Sequence, residues 1–119
     1  MMPKDLAVLI KFDANYKEGM PVWLFSCNTG KGQNSFASQL AKELHTNVTG
    51  PDTLWSWWGR GSGNVLKMDT VLTAPTNLNT YKSLMSVTTK DLGNWVTYGP
   101  SGNVISIIPG KPERPGDIK

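Results

Sequence analysis

The chain carries 12 lysine and arginine residues against 9 acidic ones in 119 residues, 39% of them hydrophobic, which suits one folded domain with a modest core. A formal charge of +3 is too small to indicate a nucleic-acid partner, and no apolar run reaches membrane-spanning length or has a signal peptide's layout. One cysteine and one histidine allow no internal disulfide and no cysteine-based zinc cluster, and neither a metal nor another cofactor is expected.

Pro3 to Phe12 reads as a helix, with Leu6, Leu9 and Ile10 on one face and Pro3 suited to the first turn. DANYKEGMP is a polar connection punctuated by Gly19 and Pro21. PVWLFS is rich in β-branched and aromatic residues without alternation, as in a strand buried on both faces. After a glycine-broken turn, Asn34 or Ser35 can cap a helix. Its Phe36, Ala37, Leu40, Ala41 and Leu44 form one stripe, and it should stop near His45. NVTGP follows as a short strand, and the strand–helix–strand order implies parallel pairing.

The second half has a different pattern. TLWSWWGRGSGNVLKMDTVLT reads as two strands about a glycine-rich turn, TYKSLMS as a helical turn, and GNWVTYGPSGNVISIIPG as a further hairpin. The expected fold is α/β: a small, partly parallel sheet flanked by helices, with a β-rich antiparallel C-terminal half. Residues 1–109 are expected to form a single domain, whole or the C-terminal part of a larger one, and residues 110–119 a proline-rich fraying tail.

Cys27 stands where the apolar run ends and the next helix is about to begin. Ligands of open α/β sheets bind at the carboxyl ends of strands. A helix N-terminus nearby presents free N–H groups that can stabilise an oxyanion, and Gly30 and Gly32 allow the turn a close backbone approach. The loop is not a Walker phosphate cradle, because GKGQ lacks the spacing and the hydroxyl after lysine. Nor is it a cysteine-phosphatase loop, whose arginine six residues beyond the cysteine is here Gln33.

The run LFSCNTGKGQNSFASQLAKELHTNVTGPDTLWSWW resembles a segment found near the ends of bacterial Rhs-repeat and filamentous-haemagglutinin-type polymorphic toxins. There a strand ends in Ser-Cys-Asn-Thr-Gly, a helix carries Phe-Ala and Leu-Ala, and a short strand ending in proline follows. The segment is also similar to the nucleophile strand and following helix of caspase-like cysteine peptidases, the group that includes CHAT domains. The resemblance spans Leu6 to Trp58 and is sharpest over Ser26–Gly30 and Phe36–Pro51.

The resemblance implies a thiol nucleophile, Cys27, in a turn shaped by Ser26, Asn28, Thr29 and Gly30 that supplies oxyanion donors. Asp52 would lie on the strand-end loop lining the cleft. It further implies a module of a larger bacterial protein that is secreted or delivered as a toxin, whose partner is a protein target or a cognate immunity protein. Caspase-like enzymes take a histidine from an earlier strand end, whereas no histidine precedes Cys27 here. His45 stands at the far end of the following helix, too far to serve, so either the histidine-bearing front of the domain lies upstream in a longer parent, or this copy is inactive, or the segment does something other than proteolysis.

Trp55, Trp57 and Trp58 invite a second expectation. Alternation puts Trp55 and Trp57 on one face and Trp58 on the other, so one face closes the core and the other is available as a partner surface. A non-catalytic interaction domain of the same fold is therefore the alternative to a cysteine hydrolase. A nucleic-acid-directed toxin ranks third, since the clustered histidines, lysines and carboxylates of nuclease chemistry are missing.

Overall fold

The structure, a computed structural model, describes residues 1–59, 71–76 and 92–111. Helix α1 (Pro3–Phe12) starts on the expected proline, and Asp5 accepts the backbone N–H of Met2 at 3.1 Å. The buried line of α1 runs through Pro3 and Ala7, with Leu6 and Ile10 beside them. Leu9 departs from the expected face and is exposed with Val8 and Phe12. The cause is the contact with the next helix, which is made through the small Ala7 and so rotates Leu9 outward.

Strand β1 (Val22–Trp23) and strand β2 (Val48–Pro51) pair in parallel on either side of helix α2 (Phe36–Leu44). Ser35 caps α2, its hydroxyl accepting from the Ser38 N–H at 3.1 Å. Of the expected stripe, Ala37, Leu40, Ala41 and Leu44 are fully buried and Phe36 is half-buried. His45 closes the helix as a left-handed C-cap with φ 54°. Strands β3 (Leu54–Gly59) and β4 (Val71–Thr76) form an antiparallel pair of their own. Strands β5 (Asn94–Tyr98) and β6 (Val104–Pro109) form the expected second hairpin and complete the main sheet in the order β1–β2–β5–β6. The fold is thus α/β with one parallel pair and otherwise antiparallel strands.

Two expectations change. The PVWLFS run is regular strand only over Val22–Trp23, and it is an edge rather than a strand buried on both faces. Leu24 still donates to the Thr49 carbonyl at 2.8 Å, but Phe25 is exposed, and the next carbonyl along β2, Pro51 O, is taken by the Gly30 N–H at 2.9 Å. The turn at 60–70, the helical turn expected at TYKSLMS and the tail after residue 111 lie outside the described residues. Among the described residues no helix is long and apolar enough to cross a membrane.

The core fills one face of the sheet: Ala37, Leu40, Ala41 and Leu44 of α2 and Ala7 of α1 pack on Val48, Val96 and Tyr98. The other face is aromatic. Trp23 meets Trp95 edge-on at 5.0 Å, and Phe25 bridges Trp95 at 5.9 Å and Trp55 at 5.7 Å. Beside them the hydroxyls of Thr49 and Thr97 share a hydrogen bond of 2.7 Å.

The segment between β1 and α2 is laid directly on β2. A Cβ on Gly30 would collide with the carbonyl oxygen of Gly50, so only glycine fits there. Gly32 instead needs glycine for its φ of +92°, with open space around the missing side chain. Gly30→Ala is therefore expected to cost on the order of 3 kcal/mol or more, since backbone would have to move. Gly32→Ala is expected to cost about 1 kcal/mol. Urea denaturation of the two variants checks this order.

Candidate functional site

Cys27 lies just beyond β1, where the chain leaves the sheet toward α2, and its side chain is exposed. The turn around it is a compact hydrogen-bonded unit. Thr29 Oγ1 donates to the Ser26 carbonyl at 2.9 Å, and Asn28 adopts the left-handed conformation with φ 58°. The Asn28 N–H donates to Thr53 O at 2.8 Å and the Gly30 N–H to Pro51 O at 2.9 Å. From the far side the buried Tyr98 reaches the carbonyls of Gly30 and Gly32 with its hydroxyl, at 2.9 and 2.7 Å.

The sulfur is held by main chain. The Trp55 N–H donates to Cys27 Sγ at 3.4 Å, and the thiol lies 3.8 Å from the Trp55 carbonyl oxygen, in reach to donate to it. The reason is found on β4, where Pro75 is the residue opposite Trp55. Proline has no N–H to give to the ladder, so the backbone groups of Trp55 face away from β4 and toward the cysteine turn. The indole Nε1 of Trp55 is itself buried without a hydrogen-bond partner.

On its other side Cys27 borders an open cleft of about 470 Å³, walled by Leu6, Leu24, Phe36 and Met1 beside Ser26. The start of α2 is mostly committed. The Ala37 N–H donates to Thr29 O at 2.8 Å, the Ser38 N–H to Ser35 Oγ, and the Gln39 N–H to Ser35 O at 3.0 Å. With Asn28 and Gly30 also engaged, the N–H groups of Ser26, Cys27 and Thr29 are the turn donors without an acceptor among the described residues.

The other sequence candidates scatter. Asp52 is a clamp on β5: Oδ1 accepts the Asn94 N–H at 2.8 Å, Oδ2 accepts Asn94 Nδ2 at 3.0 Å, and the Asp52 N–H donates to Asn94 O. Trp55 meets Cys27 through its backbone, while the side chains of Trp57 and Trp58 lie outside the described residues. α2 has nine residues, so at about 1.5 Å per residue His45 stands roughly 13 Å from the helix start, away from Cys27. It borders a different cavity of about 340 Å³ with Lys11, Tyr16 and Glu18. No group of three or more His, Cys, Asp or Glu side chains is placed to hold a metal among the described residues. The residues missed from sequence are Tyr98 and Pro75; a proline inside a strand pattern was the one available signal.

Residues 1–67, which run from α1 through β3 and include the whole cysteine turn, match a domain of unknown function, DUF8616. The chain belongs to the DUF8616 family. A stretch of 38 residues is 84% identical to the uncharacterized protein YibJ of Escherichia coli (strain K12), and covers 32% of this chain and 16% of that protein. The match thus spans a small part of the curated relative's length. No solved structure matches the chain. The DUF8616 match ends before β5, the strand that Asp52 fastens to the family segment.

Asp52→Ala removes a partner from two donors of Asn94 and is expected to destabilise the protein by about 1–3 kcal/mol. Because Asp52 grips β5 rather than the sulfur, folded Asp52→Ala protein should react with a thiol reagent at the wild-type rate. Urea melts and labelling kinetics on the same samples check both halves.

Proposed function

We propose that this DUF8616 chain is a thiol-nucleophile module of a larger bacterial protein of the secreted polymorphic-toxin type, acting on an acyl centre of a protein target. One observation carries the reading: an exposed Cys27 at the end of a parallel strand, its sulfur oriented by both backbone groups of Trp55 at the rim of a cleft. In the proposed step Sγ attacks a carbonyl carbon, forming a C–S bond as the leaving group departs, and water later releases the acyl group. The Cys27 and Thr29 N–H groups would stabilise the oxyanion. The proton acceptor is assigned to a residue beyond those described or to a partner, since His45 is remote.

The exposed aliphatic side chains of β6 favour a second reading, an interaction domain of the same fold in which Cys27 has no catalytic part. The two readings part on one measurement. Peptidyl acyloxymethyl ketones, which trap an oriented thiol, should label Cys27 in folded protein at least about 10-fold faster than in urea-unfolded chain. Cys27→Ser should abolish labelling. Equal rates in the two states would leave only the interaction domain.

A further inference from the structure

We propose that the cleft beside Cys27 selects a large apolar side chain on the residue whose carbonyl is attacked, which makes the substrate a peptide with leucine, phenylalanine or a similar residue at that position. The inference rests on the thiol-nucleophile reading above and adds the specificity of the same site.

Three elements build the cleft's wall. Leu6 comes from α1, Leu24 from the residue after β1 and Phe36 from the first residue of α2, and each is half-buried. All three also pack on the core cluster that holds Ala37, Leu40 and Val48, so the wall is in place before a substrate arrives. The polar part of the lining is the cysteine turn itself, Ser26 to Thr29, and no Asp, Glu, Lys, Arg or His lines the cleft.

The occupant follows from the chemistry at the rim. The α-carbon of the acyl residue is bonded directly to the carbon that Sγ attacks, so its side chain is the part of the substrate nearest the cleft. Free N–H groups of the turn serve the carbonyl oxygen, which leaves the apolar wall to that side chain. A carboxylate or an ammonium seated there would give up its water and find no counter-ion. The primary amide of glutamine would lose hydrogen bonds against Leu6, Leu24 and Phe36. Leucine or phenylalanine instead exchanges water for that wall, and a cleft of about 470 Å³ has room for either. Glycine offers the wall nothing to hold.

Peptidyl acyloxymethyl ketones that differ only in the residue beside the ketone test this, with leucine, phenylalanine, glycine, glutamine, aspartate and lysine in turn. In each, the Cys27 thiolate displaces the acyloxy group as a carboxylate and leaves a thioether. The rate on folded protein divided by the rate on urea-unfolded chain cancels the reagent's own reactivity. That ratio should be at least about 10-fold higher for leucine and phenylalanine than for the other residues. A ratio above one that is the same for all of them, or highest for glycine, glutamine, aspartate or lysine, overturns the specificity and leaves the nucleophile reading standing. A ratio of one throughout overturns both.

Leu6→Asp puts a carboxylate into the wall and should lower the leucine-to-lysine preference by at least about 10-fold, a change of selectivity that a loss of thiol reactivity would not produce. Should that variant not fold, Phe36→Ala shortens the wall without adding charge and should lower the leucine-to-glycine preference at least about 3-fold. Preferences equal to wild type in a folded variant overturn the assignment of these side chains to the specificity site.

Discussion

The contact on which the rest of the structure depends is the close approach of Gly30 to Gly50, turn backbone against strand backbone. It lets the segment after β1 run beside residues 51–55 as an improvised neighbour: Gly30 bonds Pro51, Asn28 bonds Thr53, and Cys27 meets Trp55. Any side chain at Gly30 would lift this segment off β2. The start of α2 would move with it, because the Ala37 N–H is fastened to Thr29 O. Tyr98 fixes the same turn from β5, so the sheet's central antiparallel pair and the cysteine turn form one hydrogen-bonded body.

That arrangement determines what can be said of Cys27 chemically. Its orientation is set by main-chain groups, which shift little when side chains vary, and among the described residues no base stands beside it. Much of the positive end of α2 is spent on its own start: Ser35 takes one N–H and Thr29 another, so the helix has less to offer an anion than its position suggests. Among the described residues, the N–H groups left free at the turn are those of Ser26, Cys27 and Thr29. On the proposed reading the described residues supply the sulfur and the oxyanion donors, and a residue beyond them or a partner supplies the proton acceptor.

Much of this was legible in the sequence because it rests on local chemistry. The proline start of α1, a cap at Asn34 or Ser35 (Ser35 in the structure) and the stripe Ala37–Leu40–Ala41–Leu44 follow from spacing and capping preference. NVTGP after a helix sufficed for the parallel pair, and GPSG between two β-rich runs sufficed for the β5–β6 hairpin. What could not be read depended on partners distant in sequence. Leu9 faces outward because Ala7 makes the helix contact, and PVWLFS is short because the Gly30 N–H takes the Pro51 carbonyl that would continue its ladder. Asp52 looked like a cleft residue until Asn94, 42 positions later, was seen to occupy both its oxygens. Trp55 attracted notice for its ring, whereas its backbone meets the sulfur, a consequence of Pro75 on the opposite strand.

The sheet order separates the two features that invite a partner. β1 leads to Cys27 at one edge, and β6 presents its aliphatic side chains at the other, with β2 and β5 between them. At about 4.8 Å per strand the two edges are roughly 14 Å apart, farther than a side chain extends. Between the two edges stand β2 and β5, held by their own ladder and by the α2 core, so the cysteine turn and β6 are joined through backbone pairing rather than through side-chain contact.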